Sequence, residues 1–419
     1  MYIGTIADDL TGATDMAGFL ANGGLDVVQF MGIPDGPAPE ADAAVVSLKS
    51  RSLPAGEAVD VSLRALAWLR KAGCRQFYFK YCSTFDSTSK GNIGPVTDAI
   101  LGALGSDFTV LCPSLPVNKR TVKGGILYVD GVPLSDTGMR HHPINPMTDS
   151  DLTRLMEMQA KGRAGVVSLD VVARGAEAVG AELERLRRDG CRYAVLDAVT
   201  DGDLDVLAAA LDDMPLITGG SGMGEARAKR VAAALGRPAG PAKRVDIPRG
   251  KTVVLSGSCS EMTNRQVATY LGFAPGVKVE VECCLDNPDG YAAELASWVG
   301  ENAGGEFAPL AYATVGKEEL AVIQKRFGVE PASRSVEDLF TRLTRRLDAM
   351  GFDRFIVAGG ETSGSVSGAL PARAFRLGPE IAPGVPWIRG VDHPYCQALK
   401  SGNFGDENFF AKAQEMMHG

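Results

Sequence analysis

"IGTIADDLTGATDMAGFL", residues 3–20, decides how the chain is read. Ile3 to Ala7 is an apolar run of strand length. Ala13, Met16, Ala17 and Leu20 then recur at helical spacing until Gly23-Gly24 breaks the pattern. A buried strand passing straight into a helix opens a β-α-β unit. Asp8 and Asp9 sit at the junction, and adjacent carboxylates repel. Either they form a solvated turn that caps the helix, or they are held there to act on a ligand.

The same alternation continues outward. "DVVQF", "AAVVSL", "RQFYFKY" and "FTVLCPS" read as strands, with helices predicted over 57–72 and 95–104. "AGVVSLD", "RYAVLDA" and "PLITGGSGMG" follow, separated by helices near 175–189 and 203–212. "ILYVDGVPL" (126–134) differs: two apolar runs flank Asp130-Gly131, a hairpin signal. Residues 236–250, GRPAGPAKRVDIPRG, read as a linker. Beyond it come strands "KTVVLSGS", "VKVEVE", "LAYATV" and "RFIVAGG", with helices at about 261–271, 290–302, 317–327 and 335–350. The expectation is two α/β domains, 1–240 and 250–419, with mostly parallel Rossmann-like sheets and a β-hairpin insertion in the first. No internal repeat is evident.

Composition narrows the function classes. The 419 residues carry a net charge of −8, with no long basic run, which speaks against nucleic acid as a partner. No apolar run reaches the length of a membrane span and the N-terminus does not read as a signal peptide, so a cytoplasmic protein is expected. The 8 cysteines form no CxxC pair and read as reduced core residues. His141-His142 precede "PINPM", where prolines keep the chain extended, and no metal site is expected.

Ligands of open α/β sheets bind outside the carboxyl ends of the strands. In the first half those ends offer Asp8-Asp9, "LKSRS" (48–52), "KYCSTFDST" (80–88) and "TGGSG" (218–222). In the second half they offer "SGSCS" (256–260) and "AGGETSG" (358–364). The first set supplies acids, Arg51, Lys80 and hydroxyls, suited to a small hydroxylated acid. The second supplies glycines and hydroxyls before a helix, where unpaired N–H groups favour phosphate. Bland readings stand beside these. AGGETSG could be a turn with a Thr or Ser cap, GGSGMG close helix–sheet packing, and Arg51 a solvated strand-end cation. Together the two sets suggest phosphoryl transfer across an interdomain cleft.

"ADDLTGATD" and "AGGETSG", with SRSLP, GNIGP and HHPINPM between them, resemble the four-carbon acid sugar kinases along the whole chain. "KYCSTFDSTSKGNIGPV" (80–96) resembles their 3-oxo-tetronate kinase branch, with Cys82 and Phe85 inserted into the pattern of the threonate and erythronate branches. The resemblance implies an N-terminal sugar-acid domain and a C-terminal ATP domain. It also implies transfer from ATP, with Mg2+, to the 4-hydroxyl of a 3-oxo-tetronate. Asp8 or Asp9 would be the base or a magnesium-side carboxylate, and Arg51 would pair through its planar fork with the substrate carboxylate. Lys80, Ser83, Thr84, Asp86 and Ser87 would hold the sugar acid. Ser258, Gly359, Gly360, Glu361, Thr362, Ser363 and Gly402 would contact ATP, Gly402 on resemblance alone because "KSGNFG" (400–405) follows no clear strand. A homodimer is allowed by the same analogy. Three alternatives remain: a D-threonate or D-erythronate 4-kinase, an NAD(P)-dependent dehydrogenase on similar acids, and a non-catalytic sensor.

Overall fold

The computed structural model describes residues 1–141, 146–238 and 240–417. Residues 142–145 of the HHPINPM stretch and position 239 of the linker lie outside the described residues, as does the second histidine of the His141-His142 pair. Two compact units divide the chain, Met1–Lys243 and Arg244–Gly419.

The first unit alternates strand and helix. β1 (Ile3–Ala7), α1 (Leu10–Asn22), β2 (Val27–Met31), β3 (Ala43–Ser47), α2 (Ala55–Lys71), β4 (Gln76–Lys80), α3 (Ile93–Leu104) and β5 (Thr109–Cys112) come first. A small arm follows, β6 (Arg120–Lys123), β7 (Ile126–Val129) and β8 (Val132–Pro133). Then come α4 (Leu152–Gln159), β9 (Arg163–Val167), α5 (Leu169–Val172), α6 (Ala176–Arg188), β10 (Cys191–Leu196), α7 (Asp201–Ala209), β11 (Leu216–Gly219) and α8 (Gly222–Ala234). The main sheet runs β2-β3-β1-β4-β11-β5-β10-β9, and each of these neighbours pairs in parallel. All five residues of β1 are buried, the mark of a strand covered on both faces.

This order sets the site. The chain leaves β1 towards β2 on one side and leaves β4 towards β5 on the other. A crevice opens where such connections diverge, at the carboxyl ends of the strands. Asp8-Asp9, Arg51 and Lys80 come from the ends of β1, β3 and β4.

The expected hairpin is present. β7 pairs with β8 and with β6, all antiparallel, and Asp130 and Gly131 turn with φ of +52° and +78°. The buried Asp197 carboxylate, just past β10, fastens this arm by accepting Gly124 N at 2.6 Å and Gly125 N at 2.9 Å.

The second unit contains β12 (Thr252–Ser256), α9 (Glu261–Leu271), β13 (Gly276–Lys278), α10 (Val281–Asp286), α11 (Pro288–Glu301), β14 (Leu310–Tyr312), α12 (Lys317–Phe327) and α13 (Val329–Ala349). β15 (Arg354–Ala358), α14 (Gly360–Ala369), β16 (Ala374–Ala382), β17 (Val385–Gly390), β18 (Cys396–Lys400) and α15 (Phe409–Glu415) complete it. Its sheet runs β13-β14-β12-β15-β18 in parallel, then β17 and β16 antiparallel. The first four strands of each unit take the same spatial order, although the two sequences show no repeat. The crevice logic therefore places a second site after β12 and β15.

Two expectations need correction here. "VKVEVE" is strand only to Lys278. The Glu280 N–H donates to the Tyr291 hydroxyl at 3.0 Å instead of a neighbouring strand, and α10 begins at Val281. "KSGNFG" does follow a strand, β18, whose last residue is Lys400. Among the described residues no helix is long and apolar enough to cross a membrane. All eight cysteines are free thiols.

Candidate functional site

At the end of β1 the two acids take different partners. Asp8 is buried and receives a two-pronged grip from Arg51, Nε to Oδ2 at 2.9 Å and Nη2 to Oδ1 at 2.8 Å. Arg51 Nη2 also lies 3.0 Å from Asp9 Oδ1. Asp9 is the N-cap of α1: its Oδ1 accepts Gly12 N at 2.8 Å, and its Oδ2 accepts the Thr11 hydroxyl at 3.1 Å. The cap is thus observed for Asp9, whose side chain is 27% exposed against 5% for Asp8. Arg51 is not a solvated cation. Its Nε and Nη2 grip Asp8. Nη1 has no acceptor among the described residues and remains for one.

Lys80, buried at the end of β4, completes the group. A methyl added at Gly12 would lie 2.3 Å from Asp9 Oδ1 and 3.1 Å from Lys80 Nζ, so the ammonium and Asp9 meet around that glycine. Lys80 Nζ donates to the Tyr81 carbonyl at 3.0 Å. Two carboxylates and two cations leave the cluster near neutrality.

Their environments push the two acids apart. Burial drives the Asp8 carboxyl above its usual value, against the pull of Arg51. Burial opposes the charge on Asp9 too. There Arg51, Lys80, the Gly12 N–H and the Thr11 hydroxyl together outweigh it and hold the carboxyl below its usual value. Burial works against the Arg51 charge, yet the paired acids push its pKa well up.

The loop after β4 is wound tightly. Phe85 N donates to the Cys82 carbonyl at 2.9 Å, and Phe85 takes φ of +47°. A bulky side chain seldom adopts that conformation. Its fully buried ring, edge-on to Tyr81 at 5.4 Å, holds the turn down. Cys82 Sγ and Thr84 Oγ1 are 2.9 Å apart, and Ser87 Oγ accepts from Gln159 Nε2 at 3.1 Å. Ser83, Thr84 and Ser87 therefore line the same loop without bonding directly to the acids. Asp86 is half-buried on it.

Sequence reasoning gave no role to Asn92, the asparagine of GNIGP. It is buried, and its Nδ2 donates to the carbonyls of Ser50 at 2.8 Å, Arg51 at 3.2 Å and Leu53 at 3.0 Å. The Ser50 and Arg51 N–H groups both reach the Asp8 carbonyl, at 2.9 and 3.2 Å. One amide thus presents Arg51 to the acids. The glycines of GGSGMG prove to be close packing: a Cβ at Gly222 would lie 2.5 Å from the Ser114 carbonyl.

In the second unit the loops after β12, β15 and β18 converge. Gly359 is the N-cap of α14, with φ of +121° and no side-chain cap, which excludes the Thr or Ser cap. The helix start at Gly360, Glu361 and Thr362 therefore lacks a side-chain acceptor, the arrangement that suits an anion. A Cβ on Gly359 would lie 3.2 Å from Ser258 N. A Cβ on Gly402 would lie 2.7 Å from Ser258 Oγ and 2.8 Å from Ser260 Oγ. Ser258, Thr362, Gly359 and Gly402 are thus neighbours. Ser363 is buried, and its hydroxyl has no hydrogen-bond partner among the described residues. Asn264 mirrors Asn92, its Nδ2 holding the carbonyls of Cys259, Ser260 and Val315 at 3.0–3.2 Å.

Comparison with known proteins agrees with this division. A family described as a sugar-binding N-terminal domain matches residues 3–227, and one described as a nucleotide-binding C-terminal domain matches residues 253–410. A 3-oxo-tetronate kinase of Brucella melitensis is 54% identical over 418 residues, 99% of this chain and 96% of its own. A 3-oxo-tetronate kinase of Salmonella typhimurium is 52% identical over 99% of both chains. A crystal structure from Salmonella typhimurium LT2, provisionally described as a tRNA synthase, is 51% identical with a TM-score of 0.92 and covers 100% of both chains.

Proposed function

The chain belongs to the four-carbon acid sugar kinases, built from a sugar-binding N-terminal and a nucleotide-binding C-terminal domain, and we propose on that premise that it is an ATP-dependent 3-oxo-tetronate kinase acting on the 4-hydroxyl. The observation that carries this reading is the contrast between the two strand-end sites. One holds the paired Asp8, Asp9, Arg51 and Lys80. The other is an uncapped helix start beside close-packed glycines. The first suits a hydroxylated acid, and the second suits phosphate.

Arg51 Nη1 and Lys80 take the substrate carboxylate. Asp8 keeps the Arg51 guanidinium in plane, and Asn92 keeps its loop in place. Asp9, the more exposed acid and held ionised by its neighbours, accepts the proton of the 4-hydroxyl as that oxygen bonds to the terminal phosphorus of ATP and the bond to ADP breaks. The Gly359 turn, the first turn of α14, Ser258 and Gly402 hold the polyphosphate. Magnesium fits as an ion carried by those phosphates, which need only one or two protein carboxylates beside them, a part open to the exposed Glu361. It would offset charge on the transferring group.

Two other readings are weaker on this structure. A dinucleotide pyrophosphate would sit at the start of the first helix, but Asp9 already caps α1 with a negative carboxylate, and no GxGxxG is present. The tRNA description of the Salmonella neighbour finds no support in a chain of net charge −8 without a basic run. Proton-coupled phosphorus NMR of the product tests the position of transfer. A phosphomonoester triplet, from the two protons on carbon 4, is expected. A doublet would place the phosphate on carbon 2 and overturn the 4-hydroxyl.

A further inference from the structure

The second unit buries a lysine at the edge of the proposed nucleotide site. Lys400 ends β18, and its side chain is fully buried. Among the described residues no carboxylate pairs with it. Its Nζ instead donates to Gly402 O at 2.8 Å, Thr263 Oγ1 at 3.0 Å and Ser401 O at 3.1 Å. Phe409 of α15 turns its ring towards it, 5.9 Å from Nζ to the centroid. The Thr263 hydroxyl donates in turn to Gly402 O at 2.7 Å, and the Ser260 hydroxyl donates to Thr263 at 3.0 Å. One ammonium therefore ties the loop after β18 to α9 and to the loop after β12.

Three acceptors match the three donors of an ammonium, whereas a neutral amine has two. A buried charge without a counter-charge is costly and is retained where an interaction offsets it. Polyphosphate is an anion that could offset it. We propose, resting on the nucleotide reading above, that Lys400 is a positioning residue for ATP. Its ammonium sets the Ser401–Gly402 backbone against Ser258 and Ser260 and supplies positive charge behind the phosphate-binding loops.

The groups that face Nζ are all uncharged, and burial alone lowers the pKa of Lys400 to about 7. Without nucleotide the ammonium thus loses its proton as pH rises through neutrality. A bound anion favours the charged form, so ATP binding takes up a proton above that pH and weakens as pH rises. Calorimetry of ATP with magnesium, without sugar acid, in two buffers of different ionisation enthalpy at pH 8 reads this uptake. The comparison is wild type against Lys400→Met, so the titration of ATP itself cancels.

Lys400→Met removes a buried charge and keeps the volume, so the fold is expected to persist by thermal unfolding. It should weaken ATP binding by about ten- to a hundredfold, the scale of lost charge-assisted hydrogen bonds. It should also abolish the extra proton uptake and leave KM for the sugar acid unchanged. Thr263→Val, which removes one acceptor, should weaken ATP binding in the same direction. Affinity and proton uptake equal to wild type in both variants would overturn the role of Lys400 alone. A wild type that binds no ATP would overturn the nucleotide reading and this inference with it.

Discussion

Asp9→Asn is expected to lower kcat by about a hundredfold or more, the usual effect of removing a general base. The substitution isolates chemistry from architecture. Asparagine caps helices as well as aspartate does, and its amide oxygen can still accept Gly12 N. The Arg51 ion pair and the pull of Lys80 are lost with the charge, so thermal unfolding should fall modestly, while KM for ATP should hold. Asp8→Asn provides the contrast. It leaves Arg51 without its two-pronged partner, so its main effect is on KM for the sugar acid and on stability. The cost to stability is about 2–3 kcal/mol, the scale of losing a hydrogen bond to a charged group. If Asp8→Asn abolishes turnover and Asp9→Asn does not, the base is Asp8. If neither changes turnover, the pair is only a cap and an ion pair.

Arg51→Met is expected to reduce kcat/KM for the sugar acid by roughly a hundred- to a thousandfold, since it removes a carboxylate contact and misplaces the reacting groups. Arg51 touches both acids, so its loss releases more than a substrate contact. Buried Asp8 would then lack its main counter-charge. Burial, already the leading influence on it, would raise its pKa further, and the carboxyl would take up a proton at higher pH. Asp9, the assigned base, also loses the Arg51 charge that holds its carboxyl down, so the acid limb of the kinetic pH profile should shift upward in this variant, while KM for ATP stays within about threefold. Arg51→Lys should recover little, because an ammonium cannot replace the fork that grips Asp8. A wild-type KM for the sugar acid in Arg51→Met would remove Arg51 from the substrate site.

The residues that sequence patterning read well are those whose partners lie nearby in the chain. Ile3–Ala7 followed by Asp8-Asp9 announced a strand end with acids, and Asp130-Gly131 announced a hairpin. The division of labour within the acid pair was not legible. It depends on Arg51, 43 positions away from Asp8, being turned inward by Asn92, which lies 41 positions further on. Hydrophobic periodicity carries no record of such long-range bonds. The same holds for Asp197, whose backbone partners Gly124 and Gly125 lie far along the sequence, and for the bond of Asn264 to the Val315 carbonyl.

The last three strands were missed for a different reason. Prolines at 379 and 386 and the Pro383-Gly384 turn interrupt the alternation that marks a strand, yet the antiparallel β16 and β17 accommodate the two strand prolines with register shifts. Without β18, Lys400 had no context, and neither did Gly402 beside it. "VKVEVE" failed in the opposite direction. Its perfect alternation reads as strand, but one hydroxyl, that of Tyr291, takes the N–H a longer ladder would need. Local preference for strand gives way there to tertiary contact.

The chain moves phosphate from ATP to a four-carbon 3-oxo acid. ADP formation with ATP and magnesium tests it most directly, against D- and L-threonate, D- and L-erythronate, and their 3-oxo forms generated in place by a dehydrogenase. Turnover is expected only with a 3-oxo acid, with Cys82–Phe85 as the loop that separates it from the plain acids. Turnover on plain threonate or erythronate would contradict the substrate assignment, and no ADP with any of them would contradict the kinase itself.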